Sequence, residues 1–289
     1  DLRDAWLAAY KSWQHVEMFT IGKSEEIQFS FYMNIYPLTV KDVEDNIANG
    51  TYNLDSSNNH DAQGFPALDY LLHGVANTDT EILEKYTTAT NNDNYKKYIT
   101  DVLNQMNTLT IDVVSDFKTQ RNTFVTSTAN NATSAVNKLI NDYIFYFEKG
   151  LRANKIGIPA GNFSTDPLPE KVEAFYKNDV SKELALEALT AVKNLFEGKH
   201  YASTTIGVSF KDYLIDLERT DIATSITNQF NLATAEVEKL DNSFTLQVNT
   251  DNTAMTKSYD ELQKVVVLLK VDMLQAFNIN VDYVDADGD

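Results

Sequence analysis

Cysteine is absent from the 289 residues, which excludes disulfides, thiolate catalysis and zinc–thiolate sites. Proline (5) and glycine (10) are scarce, so turns are few and long helices are favoured. No apolar run approaches the roughly 20 residues that a bilayer-spanning helix needs. Basic residues number 24 against 42 acidic ones, a net charge of −18. That balance argues against nucleic acid or an anionic membrane surface as the main partner, because phosphate binding needs clustered Lys and Arg. Histidine occurs at four positions, His15, His60, His73 and His200, and no two share helical spacing. HExxH is therefore missing, and so is any serine elbow. Gly161-Asn162-Phe163-Ser164 is not a phosphate loop, since no strand precedes it and no lysine follows at the required distance.

What is present is concentrated in residues 63–75, QGFPALDYLLHGV. Pro66 fits the first turn of a helix, where its missing N–H would be unpaired anyway. Gly64 sits at or before the cap, and Gly74 reads as a left-handed stop. Phe65, Leu68, Leu72 and Val75 recur at helical spacing as a buried face, with Pro66, Asp69 and His73 on a neighbouring one. Asp69, flanked by leucines and a tyrosine, needs a partner, because an unpaired buried carboxylate is costly. Asp69 and His73 stand four apart, a spacing that would let them clamp one cation. The competing reading places His73 in the last turn, where the helix dipole favours an imidazole without any ligand.

The stretch resembles the signature of the imelysin-like proteins, whose helix carries a GxHxxE motif. In this chain the motif reads Gly64-Phe65-Pro66-Ala67-Leu68-Asp69: the glycine is kept, the acid is shortened to aspartate, and proline replaces the histidine. AWLAAYKSWQHVEMF (5–19), YFEKGLRANKIGIPAG (146–161), PEKVEAFYKNDVSKELALEAL (169–189) and LLKVDMLQAFNINVDYVDADGD (268–289) extend the resemblance over essentially the whole chain. They read like lipoprotein-type members from Bacteroidetes. The resemblance implies two helical bundles packed side by side, a location in the periplasm or on the inner face of the outer membrane, and membrane attachment only through a lipid anchor already removed with its signal segment. It also implies a role in the uptake of iron or another metal.

Taken in order, the chain is all-α. Residues 2–21 form an amphipathic helix whose stripe Trp6, Tyr10, Trp13 and Glu17 ends in a carboxylate, either at a wet core edge or in a cleft; His15 reads as surface. An apolar segment from Ser24 stops at Pro37, and a short helix from Val40 to Asn49 is ended by Gly50. A polar loop over 51–63 carries His60 and Asp61, read as an exposed pair. Thr78 with Glu81 is a capping box, and a long helix runs from Tyr95 to Thr126. The TSTANNATS tail marks a junction near 130, giving domains 1–130 and 131–289. Helices follow from Ser134 to about Ala153, Glu170 to Tyr176, serine-capped Ser181 to Phe196, Phe210 to Glu218, Asp221 to Leu240, and Asn252 to Asn278. Residues 156–161 form a non-helical corner. In the last helix Asp272 is a second acid needing a partner, and Lys270 reaches outward. The terminal DADGD lacks the glycine and glutamate that would close a calcium loop.

The motif histidine would supply a metal ligand one turn from the acid, and Pro66 has no donor atom. A metallopeptidase needs three protein ligands, an open water position and a base. The expectation is therefore a non-catalytic binding protein. Gly64, Pro66 and Asp69 are its candidate binding residues at a domain interface, Glu17 and Arg152 candidate walls, and Arg152 a candidate partner of Asp69. Its partner would be a metal such as iron or zinc, a peptide or an envelope protein. The alternative is a metal-dependent peptidase, with Asp69 and His73 as metal residues.

Overall fold

The computed structural model describes residues 1–283, so the DADGD tail lies outside the described residues. The fold is all-α, as expected: no strand occurs among the described residues, and an isolated bridge pairs Lys199 with Ile206. Two compact units are present, and neither is one continuous stretch. Unit 1 comprises Asp1–Tyr10, Thr20–Arg121 and Glu173–Asn178; unit 2 comprises Lys11–Phe19, Asn122–Val172 and the chain from Asp179 onward. The change near residue 121 precedes the expected junction at 130, and two segments, 11–19 and 173–178, belong to the unit of the other half of the chain.

Unit 1 starts with the first ten residues of α1 (Leu2–Gln14 overall) and continues through α2 (Lys23–Glu26), α3 (Phe29–Met33) and α4 (Val40–Asn49). α4 ends at Gly50, whose φ of 67° is the left-handed stop anticipated there. The polar loop is tighter than expected, because Ser57–Ala62 forms a 3₁₀ turn capped by Ser56. α5 (Gly64–Asp69) then runs directly into a π-helical turn, Tyr70–Gly74. α6 (Asp79–Thr87) begins with the Thr78–Glu81 capping box, and the 35-residue α7 (Asn92–Thr126) opens within unit 1. Trp6, Tyr10, Val43, Ile47, Leu68, Leu71, Tyr95, Tyr98 and Val102 are the buried apolar residues that these helices of unit 1 contribute, among others.

Unit 2 is built on α8 (Ala135–Phe145), a long π-helical stretch Tyr146–Gly157 and α9 (Ile158–Ala160). The expected corner at 156–161 is thus helical up to Gly161, where φ reaches 84°. α10 (Ser181–Glu197), α11 (Phe210–Asp216) and α12 (Thr220–Glu238) follow; Val180 caps α10, and Ser181 is its first residue. α13 (Phe244–Val267) begins earlier than anticipated, kinks at Asp251 and passes through π-helical Leu268–Met273 into α14 (Leu274–Phe277). Phe147, Phe196, Phe230, Leu262, Leu269 and Phe277 sit in its continuous apolar core.

Candidate functional site

α5 is buried all round, and three constraints account for its sequence. Gly64 has φ +74°, and a Cβ there would lie 2.3 Å from the Met33 carbonyl oxygen, so the position accepts no side chain. Phe65 stacks on Tyr10 with centroids 4.4 Å apart and planes 3° from parallel, while its carbonyl accepts the Trp6 indole N–H at 3.2 Å. At the far end Gly74 is not the left-handed stop expected from sequence. It is glycine because a Cβ would lie 2.1 Å from the Tyr176 ring. The end carbonyls are satisfied from elsewhere in the unit: Leu71 O accepts Tyr86 Oη–H at 2.7 Å and Leu72 O accepts Arg3 Nε–H at 3.0 Å.

Asp69, the last residue of α5 before the π-helical turn, is 1% exposed. Its Oδ2 accepts the backbone N–H of Tyr176 and its Oδ1 that of Lys177, both at 2.8 Å. The aspartate is thus a clamp on two consecutive amides of the segment 173–178, which is part of unit 1. That segment is also held through Glu173, whose Oε1 accepts Asn34 Nδ2–H at 2.9 Å, while Asn34 Oδ1 accepts Tyr10 Oη–H at 2.6 Å. Tyr176 packs edge-on against Tyr70 at 5.0 Å. Burial pushes the Asp69 carboxyl up to about 7, against the opposing pull of the two amides and the Lys177 charge.

The remaining expected site residues are dispersed. His73 lies 5.2 Å from the Trp6 ring, whereas both Asp69 oxygens face the Tyr176 and Lys177 amides, so the two do not form the clamp that their spacing suggested. Among the described residues no group of three or more His, Asp or Glu is arranged to hold a metal ion. His60 and Asp61 are not an exposed pair. The imidazole sits against Phe31 and Tyr32, with burial lowering its pKa, and Asp61 Oδ2 accepts Thr39 Oγ1–H at 2.6 Å. His15 is also no surface residue, since its Nε2 is 3.0 Å from Glu187 Oε2 and its ring 4.4 Å from that of Tyr201.

In unit 2, α1 ends before Glu17, which accepts Tyr146 Oη–H at 3.2 Å. Arg152 is 0% exposed in the π-helical stretch, donating from Nη1 to Tyr259 Oη and Gln263 Oε1, with Nη2 3.6 Å from Glu148 Oε1. Sequence reasoning offered Arg152 to Asp69; the hydrogen bonds to Asp69 come instead from the Tyr176 and Lys177 amides. Lys270 does not reach outward, because its Nζ lies 3.4 Å from the buried Glu148, which also accepts Tyr283 Oη–H at 3.3 Å. Asp272 is half-buried.

The residues that sequence reasoning missed are Tyr176 and Lys177. Tyr176 ends the helix expected from Glu170, and Lys177 follows it; the structure instead has a 3₁₀ turn, Pro169–Lys171, then irregular chain with Ala174 and Asn178 at positive φ. Their contribution is backbone N–H, which carries no side-chain signature.

The family model described as Imelysin matches residues 1–270. Among solved structures, an imelysin-like protein from Psychrobacter arcticum 273-4 superposes with a TM-score of 0.74 at 18% identity, covering 98% of this chain and 82% of that one. A candidate iron-regulated protein A precursor from Parabacteroides distasonis ATCC 8503 gives a TM-score of 0.72 at 17% identity, covering 95% and 82%. No curated protein matches the chain.

Proposed function

The chain belongs to the imelysin family, and from that premise we propose that it is a non-catalytic binding protein of the bacterial cell envelope that serves the uptake of iron or another metal. The observation that carries the reading is the state of the motif. Pro66 stands where the family pattern has a histidine, and Asp69 spends both oxygens on the Tyr176 and Lys177 amides. A carboxylate so engaged, with no second donor from position 66, is a framework element and not part of a three-ligand hydrolytic centre. Within unit 1, binding is assigned to the surroundings of Gly64, Pro66 and Asp69; within unit 2, Glu17 and Arg152 are carried as binding residues. The iron connection draws on the iron-regulated precursor among the similar structures.

One observation favours the second reading, a metal-dependent peptidase. The Asp69 carboxyl titrates at about 7, a range suited to a general base. Its 1% exposure counts against contact with a substrate.

The two readings separate in one experiment on the purified protein. Ferrous, ferric, zinc and copper ions are titrated calorimetrically, and cleavage of an unfolded polypeptide is followed with each ion present. Binding without cleavage is the expected result. Cleavage that needs an added ion and stops on chelation would establish the peptidase. Absence of binding by all four ions would overturn the metal role.

A further inference from the structure

Next to Asp69, unit 1 holds a second polar group that the motif does not account for. Glu44 on α4 is half-buried, and its carboxylate takes two phenols from different elements. Tyr70 in the π-helical turn donates from Oη to Oε1 at 2.6 Å, and Tyr95 on α7 donates from Oη to Oε2 at 2.8 Å. Both tyrosines are buried. Among the described residues no lysine, arginine or histidine forms an ion pair with Glu44. Lys41, three residues earlier on α4, pairs with Asp45, and Lys85 lies over the Tyr95 ring, 5.4 Å from its centre. Three oxygens therefore converge from three elements with no cation among them, and the half-buried carboxylate leaves a way in from solvent.

The donors are all oxygen, the hard set that suits hard cations. Their spacing is that of a coordination shell: neighbouring ligands, each about 2.0 Å from an octahedral ion, stand about 2.8 Å apart. The two measured separations, 2.6 and 2.8 Å, match it. A free phenol keeps its proton up to about pH 10, and burial, then the bond to Glu44, pushes Tyr70 and Tyr95 higher still. Only a cation of high charge density displaces such protons near neutrality, in the way that bound metal ions acidify water. Zinc and ferrous ions carry less charge and suit imidazole, which this group lacks. A trivalent ion fits, because one carboxylate and two phenolates balance its charge.

We propose that Glu44, Tyr70 and Tyr95 bind a ferric ion through one carboxylate and two phenolate oxygens. Each phenol releases its proton to solvent as its oxygen–iron bond forms, and water completes the shell from the exposed side of Glu44. The choice of iron among trivalent ions rests on the uptake reading above.

The test titrates the full chain with ferric nitrilotriacetate, followed by calorimetry and by visible absorbance, since phenolate bonded to ferric iron gives a visible charge-transfer band that carboxylate and water do not. A band saturating at one ion per chain is expected. Tyr70→Phe and Tyr95→Phe should each cut the band by about half and weaken binding at least about tenfold, and the double variant should lose the band. Glu44→Gln, which keeps an acceptor for one phenol, should also weaken binding at least about tenfold. Tyr86→Phe is the control: that phenol donates to Leu71 O, and the band should not change. Circular dichroism verifies the fold of each variant. Heat of binding without a band, a band that survives in the double variant, or full affinity in Glu44→Gln would each overturn the site and leave the uptake reading standing. Neither heat nor band, with this ion or the others, would overturn both.

Discussion

Gly64 and Asp69 do different work in the same helix, and each makes a residue-scale prediction. A methyl group at position 64 meets backbone at 2.3 Å in a left-handed conformation, so Gly64→Ala should cost about 3 kcal/mol or more in urea unfolding. Gly50→Ala is the control: its φ is also positive, at +67°, but the added Cβ has ordinary contacts with Asn94 near 3.6 Å, so about 1 kcal/mol is expected. For Asp69, burial pushes the folded carboxyl up to about 7, against 3.8 for the free side chain. The unfolded chain therefore releases its proton first, and the contribution to stability is complete below 3.8 and lost as pH rises through 7. Asp69→Asn has no such titration and turns one acceptor into a donor facing an N–H, a loss of about 1–3 kcal/mol at pH 4. The gap between wild type and variant should narrow from pH 4 to 8, by up to about 1.4 kcal/mol per pH unit. Paired urea melts at the two pH values measure it, and a widening gap would show that the amides hold the carboxylate ionised.

Helices whose ends are set locally were legible in the sequence. α4 runs from Val40 to Asn49 and stops at Gly50; α6 starts at the Thr78–Glu81 box. Because the box satisfies orphan N–H groups in the first turn, Thr78→Ala should lower stability by about 1 kcal/mol, read by chemical denaturation. The π-helical stretches at 70–74, 146–157 and 268–273 were not legible. A π turn changes the register of an apolar pattern by about one residue, which composition does not reveal. Yet this register places Glu148 and Arg152 of the second stretch inside the core, with Lys270 of the third reaching Glu148. Arg152→Ala strips a buried carboxylate of a charged neighbour and should cost about 3–5 kcal/mol, measured as a lowered urea midpoint.

For the whole molecule the governing quantity is the net charge of −18. Self-repulsion of that size destabilises the compact state, and salt screens it over about 8–10 Å near physiological ionic strength. Exposed pairs such as Lys41–Asp45 and Lys96–Asp93 are each worth under about 1 kcal/mol and lose little on screening. Raising sodium chloride from about 0.05 to about 0.5 M should therefore raise Tm by several degrees in a thermal scan. A falling Tm would show that ion pairs outweigh repulsion.

The one-dimensional pattern by itself determined the all-α class, the burial of Trp6, Tyr10, Leu68 and Asp69, and the need of Asp69 for a partner, because periodicity, caps and desolvation are local or compositional properties. Which partner Asp69 takes was decided only by tertiary structure. The Tyr176 and Lys177 amides lie more than a hundred residues away, at the end of a stretch that reads as helix and just past it, and amide donors are common to every residue but proline. The same holds for Gly74, glycine because of the Tyr176 ring, and for His15, drawn under Tyr201 and onto Glu187. Those roles depend on which distant surfaces meet, and spacing along the chain carries no record of that.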